Sequence, residues 1–279
     1  MKCRYIRFLS PSTGKPMWGR LSDTDESVVE GLTEAPWLPA STLANEKFSF
    51  SKLKLLAPAE PTKILALAYN YRDLFADPSA KSRSDELHYS QNGFEPLIFL
   101  KGPNCLSAPN ASIALPSIAS EVWVEVEVTV VIGRRSKNLR SIDEAKESIF
   151  GLTIGNDMTA LSILGRDWHL ARSKSLDGFC PIGPELITGF DDSMRPLHTW
   201  INGRQTQSSV TSNRVMNSAE AVMFASSIMT LEPGDLVLTG TPAGARQSVV
   251  KPGDEVEMEI EGMGRLRNSI VAQDIHSGT

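Results

Sequence analysis

Three carboxylates are the residues of this sequence whose types and spacing point to chemistry. Glu125 and Glu127 stand two residues apart in Val122–Gly133, VWVEVEVTVVIG. A strand has a side-chain period of two, so both carboxylates fall on one face while Val124, Val126, Val128 and Val130 line the other. The valines predict a sheet buried on one side, and like charges at that separation repel. A third carboxylate, Asp157, closes another apolar run, GLTIGND. Two glutamates on one strand and an aspartate at a neighbouring strand end could hold one hard divalent cation, which would remove the repulsion. Oxygen ligands favour Mg²⁺, Mn²⁺ or Ca²⁺, and no His/Cys cluster competes for zinc. A solvent-facing strand edge with both glutamates in water accounts for the same spacing, and the pair alone does not choose between the two.

The elements that must position these groups are mostly short strands. CRYIRFL reads as a strand, PSTGKP as a turn and MWGRLSD as the hairpin partner, so residues 1–60 form a small β-rich N-terminal unit. LAPAEPTK, at Leu56–Lys63, is a proline-punctuated joint, and residues 61–279 form the main domain. There EPLIFLK, VWVEVEVTVVIG, ESIFGLTIGND, LVLTG and DEVEMEIEG read as strands, most of them bounded by Gly and Pro. Helical patterns are fewer. SIDEAKES carries acidic residues near its start, and SAEAVMFASSIMTL has apolar residues at helical spacing with Ser218 as its cap. Trp168 is assigned to the core. The fold class is α+β and β-rich.

Bulk properties exclude several function classes. The 279 residues are 41% hydrophobic, and the net charge is -5. Mean hydropathy is -0.15 and the isoelectric point about 5.5. No Lys/Arg block offers the clustered cations that a nucleic-acid surface needs. No apolar run approaches the roughly 18–20 residues of a membrane span, and MKCRYIRFLSPSTGK lacks a signal-peptide apolar region. Cys3, Cys105 and Cys180 are scattered without CxxC spacing, which fits a reducing compartment. The expectation is a cytoplasmic protein that meets neither membrane nor nucleic acid.

The order of short motifs says more than any one of them. The chain reads NYRD, FLK, EVEVTVVIG, GND, ARSKSLDGFCPIGP, NGRQTQ, LEPGDLVLTGTPAG and KPGDEVEMEIEGMGRLRNSI. From Lys63 to Val271 this resembles the fumarylacetoacetate hydrolase superfamily. The resemblance implies a mixed β-sandwich/β-roll catalytic domain behind a small N-terminal domain, and a homodimer. It implies that Glu125, Glu127 and Asp157 are the ligands of Mg²⁺ or Mn²⁺, with Ca²⁺ a third candidate. It places Lys174 at the substrate's oxygens as the catalytic lysine. Gly240 and Thr241 would hold a substrate carboxylate or oxyanion, glycine letting backbone donors approach an anion closely. Tyr71 would approach the pocket or serve packing.

The sequence also departs from the family. Members that hydrolyse carbon–carbon bonds carry a His–Glu pair after NYRD, where this chain has Leu74 and Asp77. Leu161 and Leu164 stand where relatives place an arginine and a glutamine. His88, in the long segment after NYRD, could substitute as a base on closure of a lid, or lie on a surface loop. The expected function is a metal-dependent enzyme acting on a small oxo acid or 1,3-dicarbonyl compound through a metal-stabilised enolate. With the usual water-activating base missing, a lyase, decarboxylase or isomerase is expected, its substrate body more apolar than the family's dicarboxylates. A C–C hydrolase of the acylpyruvate type and a metal-binding pseudoenzyme are the alternatives.

Overall fold

The computed structural model describes residues 2–76 and 95–273. Asp77 and His88 therefore lie outside the described residues. Among the described residues the main sheet has twelve strands, and we number in chain order the ten along its path, leaving aside Lys54–Leu56 and Leu106–Ser107, which pair at its side. They are β1 (Arg4–Leu9), β2 (Pro16–Leu21), β3 (Val28–Leu32), β4 (Leu43–Ser49), β5 (Ile64–Ala68), β6 (Leu97–Lys101), β7 (Val126–Ile132), β8 (Ile149–Asn156), β9 (Cys180–Ile187) and β10 (Leu236–Leu238). Their spatial order is β4-β3-β2-β1-β9-β8-β7-β10-β5-β6. Neighbours pair antiparallel except β10 and β5, which run parallel from Leu236↔Ile64 to Leu238↔Ala66. A five-stranded sheet, Arg204–Val210, Pro196–Ile201, Glu255–Ile260, Arg265–Ala272 and Ser112–Leu115 in that order, packs against β7, β8 and β9. The result is the β-rich architecture the sequence pattern implied, with the sheet-on-sheet packing that the resemblance implied.

The valine run differs from the expectation in two ways. It is not one strand: Val122–Trp123 pairs with Thr159–Ala160 and Val249–Val250 in a separate small sheet, and β7 begins only at Val126. At β7 the main sheet is also covered on both faces, since every residue of that strand is buried. The second sheet supplies the cover, which the alternation of valine and glutamate could not reveal. Charges on β7 thus face no water, and each needs a partner.

The parallel joint of β10 and β5 is held by Asp235. Its fully buried carboxylate accepts from the Thr62 and Lys63 backbone N–H groups, the Thr62 hydroxyl, the Lys63 ammonium and the Glu232 N–H. Helix Ser218–Ile228 is capped by Asn217 and not by Ser218. Asn217 Oδ1 accepts from Ala219 and Glu220 N–H, and Glu220 reaches back to the Asn217 N–H at 2.7 Å. Glu220 lies three residues after Asn217, and that spacing closes the reciprocal box. Trp168 is also not core: it is 96% exposed on the loop after helix Leu161–Leu164. No described helix is long and apolar enough to cross a membrane.

Candidate metal centre

The break before β7 and the end of β8 bring the three carboxylates together. β7 and β8 pair with Val126 opposite Asn156 and Glu127 opposite Gly155, so Asp157 emerges beside Glu125. Two bonds fix that corner: Asn156 Oδ1 accepts the Glu125 N–H at 3.1 Å, and the Glu125 carbonyl accepts the Asp157 N–H at 3.0 Å. One oxygen from each of Glu125, Glu127 and Asp157 lies within 4.8 Å of the others, and all three residues are buried. Water does not screen this group, which removes the reading of a solvated strand edge.

Two lysines answer the charge. Lys174, from the short helix Ala171–Lys174, donates to Glu125 Oε2 at 2.5 Å and to Asp157 Oδ2 at 2.6 Å. Lys101, the last residue of β6, donates to Asp157 Oδ1 at 2.6 Å. Burial pushes the Asp157 carboxyl up, but the charges of Lys101 and Lys174 outweigh it and hold the group below the ordinary carboxylate range. Burial likewise opposes the charged form of Lys174, yet Asp157 and Glu125 keep its ammonium above the usual lysine range. Among the described residues, no lysine bonds Glu127. Burial, then the charges of Asp157 and Glu125, push its carboxyl well up. Glu125 is raised by burial, against the pull of Lys174. Among the described residues, three buried carboxylates face two ammonium groups. Oxygen-only donors in that excess fit a hard divalent cation.

The loop after β10 supports the same centre. The Gly240 N–H donates to Glu127 Oε2 at 2.6 Å, and the Thr241 hydroxyl donates to the Val126 carbonyl at 3.0 Å while accepting from Gln207. These bonds fix the strand that carries Glu127. The Tyr71 ring is fully buried, and its hydroxyl has no hydrogen-bond partner among the described residues. Burial raises that phenol, with Arg214 pulling it down and Glu127 pushing it up. Leu74 packs against the main core, while Leu161 and Leu164 are half-buried on their own short helix. His169 is exposed, and His198 is spent on Gln205, at 2.9 Å, and on the Trp200 ring.

Sequence reasoning passed over two residues that matter here. Lys101 shares the inward face of β6 with Phe99, and a lysine at an inward strand position is a signal that a buried anion awaits it. Gln207 satisfies all of its amide: it accepts from the Val126 N–H and the Thr199 hydroxyl, and donates to Thr241 and the Pro242 carbonyl. The motif NGRQTQ contained it without showing which strand it would face.

Comparison with known proteins supplies the context. Residues 63–271 match the family described as fumarylacetoacetate (FAA) hydrolase C-terminal. A mitochondrial oxaloacetate tautomerase of Bos taurus is 35% identical over 239 residues, covering 79% of this chain and 70% of that protein. Among solved structures, 5-carboxymethyl-2-hydroxymuconate delta-isomerase from Mycobacterium smegmatis superposes with a TM-score of 0.83 at 32% identity, covering 97% of this chain and 100% of the other. A fumarylacetoacetate hydrolase from Exiguobacterium antarcticum gives a TM-score of 0.76 at 26% identity, again covering 97% and 100%.

Proposed function

The chain belongs to the fumarylacetoacetate hydrolase family, and on that premise we propose that it is a divalent-metal-dependent tautomerase or isomerase of small oxo acids. The observation that carries the reading is the position of Lys174, whose ammonium lies against two of three buried carboxylates that could together hold a cation. Glu125, Glu127 and Asp157 are the residues that would hold Mg²⁺ or Mn²⁺. A bound divalent ion would supply Lewis-acid stabilisation to the charge that develops on a carbonyl oxygen as its neighbouring carbon loses a proton.

The chain's own residues then have separate tasks. Lys174 presents a cationic donor to the reacting oxygens, and its raised pKa favours the ammonium form at neutral pH. The Tyr71 hydroxyl has no hydrogen-bond partner among the described residues, so its proton is available as a neutral donor. Gly240 and Thr241 act indirectly, by fixing Glu127 and the start of β7. Moving a proton between carbon and oxygen needs no attacking water. The His–Glu pair that hydrolases of the family carry after NYRD is replaced in this sequence by Leu74 and Asp77, which favours isomerisation over hydrolysis. Relatives described as an oxaloacetate tautomerase and as a muconate-type isomerase support the same choice.

The test follows the enol absorbance of oxaloacetate with Mg²⁺ or Mn²⁺ present, for the wild type and for Lys174→Met. Protein-dependent loss of the enol band, abolished by the substitution and unaccompanied by release of CO₂, is the expected result. Release of pyruvate and CO₂ would make the enzyme a decarboxylase. Rates no faster than metal alone, for oxaloacetate and for acylpyruvates alike, would overturn the reading.

A further inference from the structure

Lys101 is a charged group that the proposed chemistry does not use. Its side chain is wholly buried, and the three protons of its ammonium point into the protein. One goes to Asp157 Oδ1 at 2.6 Å, one to the Phe179 carbonyl at 3.0 Å, and the third faces the Met158 carbonyl at a longer 3.5 Å. The segment behind it is pinned to the strip that leads from Lys174 to β9. The Gly102 N–H donates to Ser175 Oγ at 3.0 Å, and Asn104 donates to the Ser175 carbonyl at 3.0 Å and to Asp177 at 2.6 Å. Beyond them, Leu106 pairs with Cys180. The fold thus holds the Lys101 ammonium from three sides, and it cannot leave Asp157 without stranding a cation in the interior.

Asp157 therefore has two unlike oxygens. Oδ1 belongs to Lys101, which is locked in place. Oδ2 meets Lys174, whose side chain comes from the edge of the site and is 7% exposed. We propose that Lys101 is a positioning residue of the metal centre, an internal cation that occupies Oδ1 of Asp157 so that this carboxylate meets a divalent ion through Oδ2 alone. The inference rests on the metal reading above and adds what Lys101 does for it. A carboxylate restricted to one oxygen fills one coordination position and leaves another open to water or to substrate oxygens. Its electron density is also drawn toward Lys101, which keeps the ion acidic.

The experiment uses Mn²⁺ as the probe and counts the waters bound to it, by water-proton relaxivity and pulsed paramagnetic resonance, at saturating protein. In the wild type Mn²⁺ binds with Asp157 contributing a single oxygen. In Lys101→Met, Oδ1 is released, Asp157 closes on the ion through both oxygens, and one coordinated water is lost. Lys101→Gln, whose amide N–H can still hold Oδ1, restores the wild-type count. A purely structural lysine would change stability and leave the count unmoved, so equal counts in the wild type and Lys101→Met overturn the proposal. A crystal structure of the Mn²⁺-loaded wild type tests it without any substitution. Asp157 ligating through Oδ2 with Lys101 on Oδ1 supports it; bidentate Asp157, or Lys101 turned away, refutes it. A wild type that binds no Mn²⁺ fails at the first measurement, which removes the metal reading itself.

Discussion

Placing one oxygen from each of three buried carboxylates within 4.8 Å of the others sets a charge problem at the residue scale that two lysines solve only in part. Glu127 bears most of the remainder, since its one strong partner is the neutral N–H of Gly240. Removing that charge while keeping an acceptor for Gly240 should relieve the site. Glu127→Gln is expected to raise the stability of the metal-free protein by about 1 kcal/mol or more, in line with other replacements of costly buried charge. It should also abolish the gain from metal. For a site filled at about 100 times its Kd that gain is ~2.7 kcal/mol, roughly 5 °C or more in Tm for a chain of this size. Thermal melts with and without Mn²⁺ read both effects; full metal stabilisation in Glu127→Gln, or in Glu125→Ala or Asp157→Ala, removes that residue from the ligand set. Lys174→Met should behave in the opposite way. It deletes the ammonium that contacts Glu125 and Asp157 but leaves all three carboxylates in place, so Mn²⁺ stabilisation persists while turnover falls by roughly a hundredfold or more, the range of a lost proton-transfer or charge-stabilising group. Turnover at the wild-type rate would return Lys174 to a structural role.

At the scale of elements, the centre depends on the turn that follows β10. Gly240 sits at φ 91°, and a Cβ there would lie 3.0 Å from the Leu67 carbonyl and 3.0 Å from Asn70 Cβ. Gly253 has a similar φ of 95° but open space around it, so the pair separates backbone strain from crowding. Gly240→Ala and Gly253→Ala should both lose about 1–3 kcal/mol to the strained backbone. Only Gly240→Ala should also weaken Mn²⁺ binding, because the displaced turn pulls its N–H from Glu127. Equal metal affinity in the two variants, read by calorimetry, would show that the turn does not support the site. The elements also show what a sequence can and cannot disclose. β6, β8 and β10 were legible as apolar runs bounded by Gly and Pro, and two helices, Ile142–Ser148 and Ser218–Ile228, from an acidic start and from helical spacing. The joining of Glu125, Glu127 and Asp157 was legible because their motifs occur in an order that a known family shares. The break between Trp123 and Val126 was not, since it arises where Val249–Val250 and Thr159–Ala160 draw the chain into another sheet. The partners of Lys101 and Gln207 were hidden for the same reason: Asp157 is 56 positions from Lys101, and Val126 is 81 from Gln207. Trp168 was misplaced because its side chain is large and apolar, while its position on a surface loop is set by the helix end before it.

For the whole molecule, the question is how the N-terminal strands are tied to the rest. They carry a small core of their own, built on Ile6, Phe8, Leu21 and Val29. Yet β1 continues the main sheet through only two register pairs with β9, Arg4↔Ile187 and Tyr5↔Leu186. Around this short seam the Arg4 guanidinium forks onto both oxygens of Glu185, and Cys3 and Thr188 exchange bonds. The apolar part of the joint is Phe150 at the start of β8, whose ring lies 5.5 Å from Tyr5 and 5.8 Å from Trp37. Trp37 in turn stacks edge-on with Trp18 at 5.8 Å. Phe150, half-buried on β8, thus reaches two aromatic residues of the N-terminal segment, and its loss should weaken this joint. Phe150→Ala should cost about 2–3 kcal/mol, below the ~3–5 kcal/mol of a fully buried phenylalanine. Most of that cost should fall on the N-terminal strands, because β8 keeps its ladders to β7 and β9. Calorimetry of the wild type should then give one transition and that of Phe150→Ala two, with the earlier one matching new protease cleavage within residues 2–60. A single transition displaced to lower temperature would instead mean that the backbone seam and the Arg4–Glu185 pair suffice to make the two units unfold together.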